Sequence, residues 1–163
     1  MKDTPECSLS DGFRAWEKAY VLVSFVAICA IGTVGIALLD WRWALAYLLI
    51  YLYGIFGVVM RHLVCPRCPH LHDHNDCLQF PTGVTKRLAK GRTTAPFSPV
   101  EKWLFYAYFL FIPLFPVYWL LANPGLLAAF AVAVCMWYLG QFLRFCKRCR
   151  VSQCPFNRAP SVQ

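Results

Sequence analysis

The sequence predicts an all-α integral membrane protein: a four-helix transmembrane bundle of two tandem helical hairpins, with a small cytoplasmic Cys/His metal-binding cap. Three observations predict this fold. Only 15% of the 163 residues are charged, whereas a soluble domain carries about 25%. Four apolar segments each approach the roughly 20 residues that a membrane-spanning helix needs. A cysteine group with a CxxC motif follows the second segment, and another follows the fourth.

The four predicted spans have no Asp, Glu, Lys or His in their interiors, and they cover residues 20–39, 43–60, 103–121 and 126–145. We expect the first span to be retained rather than cleaved as a signal peptide, since no clear small-residue cleavage site follows it. The connections "DWR" and "ANPG" are short, so each joins antiparallel neighbours. Pro113 and Pro116 should kink the third span and face another helix, because lipid cannot satisfy the carbonyls that proline frees.

The basic residues predict the orientation. Fifteen of the sixteen Lys and Arg residues lie in the N-terminal tail 1–19, the loop 61–102 and the C-terminal segment 144–163, and only Arg42 lies elsewhere. The positive-inside rule therefore places both termini and both cysteine groups on the cytoplasmic side of a cytoplasmic or inner membrane. The net charge of +8 is explained by this topology, so we do not expect the protein to bind nucleic acid. The expected partners are the lipid bilayer and a cytoplasmic or membrane protein.

The loop 61–102 has two further predicted features. Residues 82–90 suit either a short helix at the headgroup level, with Val84 and Leu88 on one face, or an ordered loop with solvated charge. Ser98 is a plausible cap for the third span, and Pro99 suits its first helical position.

An internal repeat divides the chain into two halves. Each half reads as a helix, a tight turn, a second helix and a cysteine group. The first group is Cys65-x-x-Cys68 with Cys77, and the second is Cys146-x-x-Cys149 with Cys154. Parallel repeats are related by an axis along the membrane normal. Such an axis would bring the two groups close together on the cytoplasmic face.

These cysteine groups predict a metal site, because cytosolic thiols stay reduced and a CxxC turn directs two thiolates to one metal. The predicted ligands are Cys65, Cys68, Cys77, Cys146, Cys149 and Cys154, with His70, His72 and His74 as further candidates. Three arrangements are open: one four-thiolate site for zinc or rubredoxin-like iron, two sites each completed by a histidine (His62 included), or an iron–sulfur cluster. Zn²⁺ is the usual occupant and is preferred, with iron–sulfur next.

Other polar and thiol residues are more ambiguous. "HLHDHND" could collect a borderline ion through its imidazoles, Asp73 and Asp76, or could be a solvated loop. We expect Cys29 and Cys135 to pack as small apolar residues inside the bundle. Cys7 suggests nothing specific.

Several function classes lack the residues they need. No histidine lies inside a span, which argues against haem b, and no mid-membrane carboxylate or lysine marks an ion pathway. No phosphate-binding loop or catalytic constellation is visible, so the chain is not expected to be an enzyme on its own. Three hypotheses follow: a membrane adaptor or electron-relay subunit, a soft-metal transport protein using Cys29 and Cys135, or a thiol–disulfide relay.

Overall fold

The computed structural model describes residues 12–89, 91–147, 149 and 154–156. Over these residues the chain is helical and contains no strand, and four helices are long and apolar enough to cross a membrane. They run over Ala15–Ala37, Trp41–Arg67, Pro99–Leu120 and Pro124–Phe145. The predicted all-α architecture with four candidate spans is therefore confirmed. The basic residues Lys2, Lys90, Arg148, Arg150 and Arg158, which count toward the predicted orientation, lie outside the described residues, as does Cys7.

The first two spans are built from α1 (Ala15–Ala37) and α2 (Trp41–Leu52), and α2 continues as a π-helix (Tyr53–Leu63) and a 3₁₀ turn (Cys65–Arg67). The loop between the second and third spans holds α3 (Pro69–Asp73) and α4 (Thr82–Leu88). The third span consists of α5 (Pro99–Leu114) and α6 (Val117–Leu120). The fourth is α7 (Pro124–Gly140), which continues as a second π-helix (Gln141–Phe145). Of these, α1 packs against both α2 and α7.

Polar residues beside each turn cap the helices that follow. Asp40 accepts a hydrogen bond from the Arg42 N–H at 2.9 Å, and Asn123 accepts one from the Leu126 N–H at 3.2 Å. Ser98 and Glu101 form a reciprocal capping box at the start of α5, with Pro99 in its first turn. These caps satisfy amides that a helix leaves unpaired at its start, and the predicted Ser98 cap is confirmed.

Prolines break the third span between α5 and α6. Proline has no N–H, so Pro113 and Pro116 leave the carbonyls of Phe109 and Ile112, four residues earlier, without their helical donors. The Tyr138 hydroxyl donates to the Phe109 carbonyl, and the Tyr47 hydroxyl lies 3.4 Å from the Ile112 carbonyl oxygen. Tyrosines from neighbouring helices thus satisfy both freed carbonyls, and the expectation that this kink faces other helices is confirmed.

A tyrosine wedge marks the change from α to π geometry in the second span. The Tyr108 ring packs so closely on Gly54 that a Cβ there would overlap it. Its hydroxyl donates to the Tyr51 carbonyl at 2.7 Å and accepts from the Ile55 N–H. In an α-helix the Ile55 N–H would bond the Tyr51 carbonyl directly. Because the Tyr108 hydroxyl inserts between these two groups, the α-helical hydrogen-bond pattern is interrupted here, which is a common effect of such insertions.

Both spans that lead to a cysteine group end in π geometry. The Val64 N–H donates to the Val59 carbonyl at 2.8 Å, and the Cys146 N–H donates to the Gln141 carbonyl at 2.8 Å. Each bond reaches back five residues, which is the π-helical pattern, and such segments are frequent at functional sites. The two halves therefore share local geometry at equivalent points.

The bundle exposes large apolar side chains around its circumference, including Val23, Leu49, Leu110 and Leu139. Exposed aromatic residues lie near both ends: Trp16 and Trp103 at the end that carries the cysteine groups, and Trp41, Trp43 and Tyr118 at the opposite end. Apolar sides with aromatic ends are what a bilayer and its two interfaces favour.

Candidate metal centre

The first CxxC motif forms a tight turn at the end of the second span. The Cys68 N–H donates to the Cys65 carbonyl at 3.2 Å, and the backbone N–H groups of His70 and Leu71 donate to the Cys68 sulfur. Burial raises the pKa of the Cys68 thiol to about 11, against the lowering effect of those amides. A bound cation would therefore be needed to hold this sulfur as the thiolate at neutral pH.

Arg67, inside the same motif, fixes the turn to its surroundings. Its guanidinium donates to the carbonyls of His62, Leu63 and Ala95 at 3.0, 2.9 and 2.8 Å, and to the Glu101 carboxylate at 3.1 Å. The side chain is only 6% exposed. Arg67 thus satisfies carbonyls at the end of the second span and ties that end to the start of the third.

The four histidines have different environments. His70 is buried, contacts the cavity described below, and packs its ring 4.9 Å from that of Phe13. His72 Nε2 lies 3.1 Å from the Cys65 carbonyl, where it can orient the turn. His62 and His74 are exposed. Of the predicted histidine ligands, His70 is the one that the structure places beside the cysteines' cavity.

The two aspartates of this loop pair with basic residues. Asp76 accepts from the Phe13 N–H at 2.6 Å, from the Cys77 N–H at 2.9 Å and from the Lys18 ammonium. Burial alone would raise the pKa of Asp76, but these donors and the Lys18 charge hold it below its ordinary value. Asp73 forms an exposed ion pair with Arg92 at 2.7 Å. Asp73 therefore serves the loop's internal structure, whereas Asp76 also joins the loop to the N-terminal segment and α1.

The second cysteine group folds back over the bundle. Phe156, two residues after Cys154, packs its ring 5.0 Å from Phe105 and 5.1 Å from Phe142. Arg144, just before Cys146, stacks on Trp16 and lies 3.4 Å from the Glu17 carboxylate, which is fully buried. Contacts to α1 and to α5 thus hold this group in place.

All six clustered cysteines line one cavity of about 150 Å³. They are Cys65, Cys68, Cys77, Cys146, Cys149 and Cys154. The wall is otherwise mostly apolar and aromatic, with side chains from the second, third and fourth spans. The structure therefore brings together two groups that lie about eighty positions apart in the sequence, as the repeat-based prediction expected.

The thiols surround this space without converging on one point. Among the described residues, no group of three or more His, Cys, Asp or Glu side chains is positioned to hold a metal ion. The predicted Cys/His metal-binding cap is therefore not shown by the described part of the chain. The donor chemistry itself, thiols with one imidazole, suits zinc, iron or an iron–sulfur cluster.

Cys29 and Cys135 do not line this cavity. Cys29 is half-buried in α1, and Cys135 is exposed on α7. Their positions offer no thiol path from the membrane interior to the cavity, so the structure gives the transport hypothesis no support.

Two further cavity residues were not predicted as site residues: Trp137 and Gln141. The indole N–H of Trp137 and the amide nitrogen of Gln141 are buried, and neither has a hydrogen-bond partner among the described residues. The sequence shows Gln141 as a rare polar residue in an apolar span, four positions after Trp137 and five before Cys146. This spacing is the one signal in the sequence that could have identified Trp137 and Gln141 as site residues.

Comparison with known proteins identified no relative. No family model matches the chain, and neither a curated protein nor a solved structure matches it significantly.

Proposed function

We propose that this protein carries a metal–thiolate centre at the cytoplasmic end of a membrane-embedded bundle and acts as an electron-relay subunit. The observation that carries the proposal is that all six clustered cysteines, from both halves of the chain, line a single cavity. Six thiols around one space match the ligand chemistry of soft metals and of iron–sulfur clusters.

Charge distribution supports the cytoplasmic placement. Exposed Arg61, Lys86 and Arg87 lie at the end that carries the cysteine groups, and the opposite connections carry only Arg42. Cytoplasmic enrichment of Lys and Arg is the main topological signal in membrane proteins. A cytoplasmic setting also keeps thiols reduced and available to a metal.

A redox role is favoured over a purely structural zinc. A structural zinc site takes four ligands at about 2.0–2.3 Å from one ion, whereas six thiols line this cavity. The cavity wall includes Phe105, Phe109, Phe142 and Phe145, which give the thiols mostly apolar surroundings. A low-dielectric shell of this kind is one of the means by which proteins set the potential of a redox metal.

Metal content and spectroscopy test the proposal. The full-length protein, purified anaerobically in detergent, should contain iron and show visible absorbance that bleaches on reduction. Cys65→Ser and Cys146→Ser should each lose most of the metal, because each removes a sulfur from the shared cavity. Cys135→Ser is the matched control, since this thiol lies outside the cavity, and should retain it.

Three outcomes would contradict the proposal. A colourless protein holding one or two zinc ions would reject electron relay. Labelling of the cysteines at residues 65 and 146 from the non-cytoplasmic side, in intact cells, would reject the orientation. Equal metal content in Cys65→Ser, Cys146→Ser and Cys135→Ser would show that the cavity is not the metal site.

A further inference from the structure

The cavity has more thiols and more room than one ion uses. A tetrahedral ion takes four ligands at about 2.3 Å when they are sulfur, whereas six cysteines line this space of about 150 Å³. A cluster of several metal ions spreads its cysteine ligands across its own width. Six cysteines around one space therefore offer more ligands than one ion uses, which favours a polynuclear occupant.

The cavity wall also holds two buried donors that lack acceptors. Trp137 is 8% exposed, and its indole stacks on Phe109 with ring centroids 5.6 Å apart. Gln141 lies one helical turn further along the same span, so both side chains lie on the cavity face. Neither Trp137 Nε1 nor Gln141 Nε2 has a hydrogen-bond partner within the described part of the chain.

Leaving a buried donor unpaired is unfavourable, so two such donors on one wall favour an occupant that carries acceptors. Neighbouring residues of the wall are mostly apolar, and none of the described residues accepts a hydrogen bond from either donor. A lone zinc or iron ion adds no acceptor beyond the thiolates it binds. The bridging sulfides of an iron–sulfur cluster do, and hydrogen bonds to cluster sulfur are a recognised influence on reduction potential.

We propose that the cavity holds a polynuclear iron–sulfur cluster, bound by cysteines of both halves, whose sulfur atoms accept hydrogen bonds from Trp137 and Gln141. This inference rests on the proposed metal–thiolate function and specifies its cofactor. Trp137 and Gln141 are positioning residues. Their N–H groups stabilise the more negative, reduced cluster and so raise its reduction potential.

The test combines analysis with electrochemistry on the full-length protein. The anaerobically purified protein should contain acid-labile sulfide in about equal amount to its iron. Trp137→Phe and Gln141→Leu keep apolar volume but remove the N–H. Each should retain the iron and the electron paramagnetic resonance signal while shifting the reduction potential to a more negative value. Trp103→Phe, an exposed tryptophan, is the control and should leave the potential unchanged.

A second measurement avoids substitutions that could disturb folding. The wild-type protein, labelled with ¹⁵N-indole tryptophan, should show a hyperfine coupling between the reduced cluster and one tryptophan nitrogen. Absence of that coupling, or unchanged potentials in both variants, would overturn the donor assignment.

The outcomes separate this inference from the function on which it rests. Iron without labile sulfide would overturn the cluster and leave a mononuclear iron relay standing. Zinc alone would overturn both.

Discussion

Arg67 makes more structural hydrogen bonds than its place in a charged loop indicates. As a sequence feature it contributes to the positive-inside signal and can offset thiolate charge. In the fold it donates to three carbonyls and a carboxylate while almost completely buried. The planar guanidinium can serve several acceptors at once because its donors are fixed in a fork.

Arg67→Lys should therefore destabilise the protein although it retains the charge. An ammonium cannot reach all of these acceptors, and the loss should be about 2–4 kcal/mol, by analogy with breaking buried charged hydrogen bonds. Thermal unfolding in detergent would measure it. Arg61→Lys, at an exposed position, is the control, and equal stability of the two variants would contradict the prediction.

Single residues also show where sequence reasoning about the site reached its limit. The CxxC spacing identifies thiols because that chemistry is local to a turn. It cannot separate His70, which is buried beside the cavity, from His74, which is exposed, since their burial depends on how Phe13 and α1 pack over the loop. Trp137 could not be identified as a site residue from the sequence, because its apolar ring suits any membrane helix.

At the scale of elements, hydropathy predicted the existence of all four spans but shifted their ends. The first span was predicted from residue 20, and α1 begins at Ala15. The pattern treated Glu17 and Lys18 as tail, whereas Glu17 is buried near Arg144 and Lys18 reaches Asp76. Of the two alternatives left open for residues 82–90, the structure has the short helix, α4, with Thr85 as its buried residue and Val84 exposed.

The π-helical segments could not be predicted, because their causes lie on other elements. The opening at Gly54 depends on the Tyr108 side chain of the third span. The proline break was predictable, since the missing N–H is a property of the residue itself.

The pairing of Tyr138 with the carbonyl that Pro113 frees is testable by a double-mutant cycle. Tyr138→Phe should cost about 1 kcal/mol, as interhelical hydrogen bonds in membranes commonly do. In the Pro113→Ala background the restored N–H can bond the Phe109 carbonyl, so Tyr138→Phe should cost clearly less there.

Unfolding in detergent measures each step of this cycle, with the exposed Tyr118→Phe as the control. Purely additive losses in the double variant would contradict the proposed compensation.

For the whole molecule, long-range polar contacts join the N-terminal helix to the cysteine-bearing segments. Asp76 receives hydrogen bonds from Phe13 and Lys18, and Arg144 approaches Glu17. The repeat predicted that both cysteine groups would meet. It gave no role to the residues that precede the first span, because they have no counterpart in the second half.

Asp76→Asn should loosen this connection. The amide removes the charge that pairs with Lys18 and weakens three charge-assisted hydrogen bonds, so we expect a loss of about 1–3 kcal/mol in unfolding free energy. Asp73→Asn is the matched control, because its exposed pair with Arg92 should contribute at most about 1 kcal/mol. Comparable melting temperatures for both variants would count against a joining role for Asp76.

The cavity takes its cysteines from both halves of the chain, and this has a consequence for biogenesis. Its first three cysteines leave the ribosome long before the last three, and Phe105 and Phe109 of its wall lie between them in the chain. A cofactor bridging the two groups can therefore be installed only after the fourth span has entered the bilayer and the final turn has folded back. Delivery of the metal would then act as a checkpoint, because a chain arrested before Cys146 could be inserted in the membrane yet never become loaded.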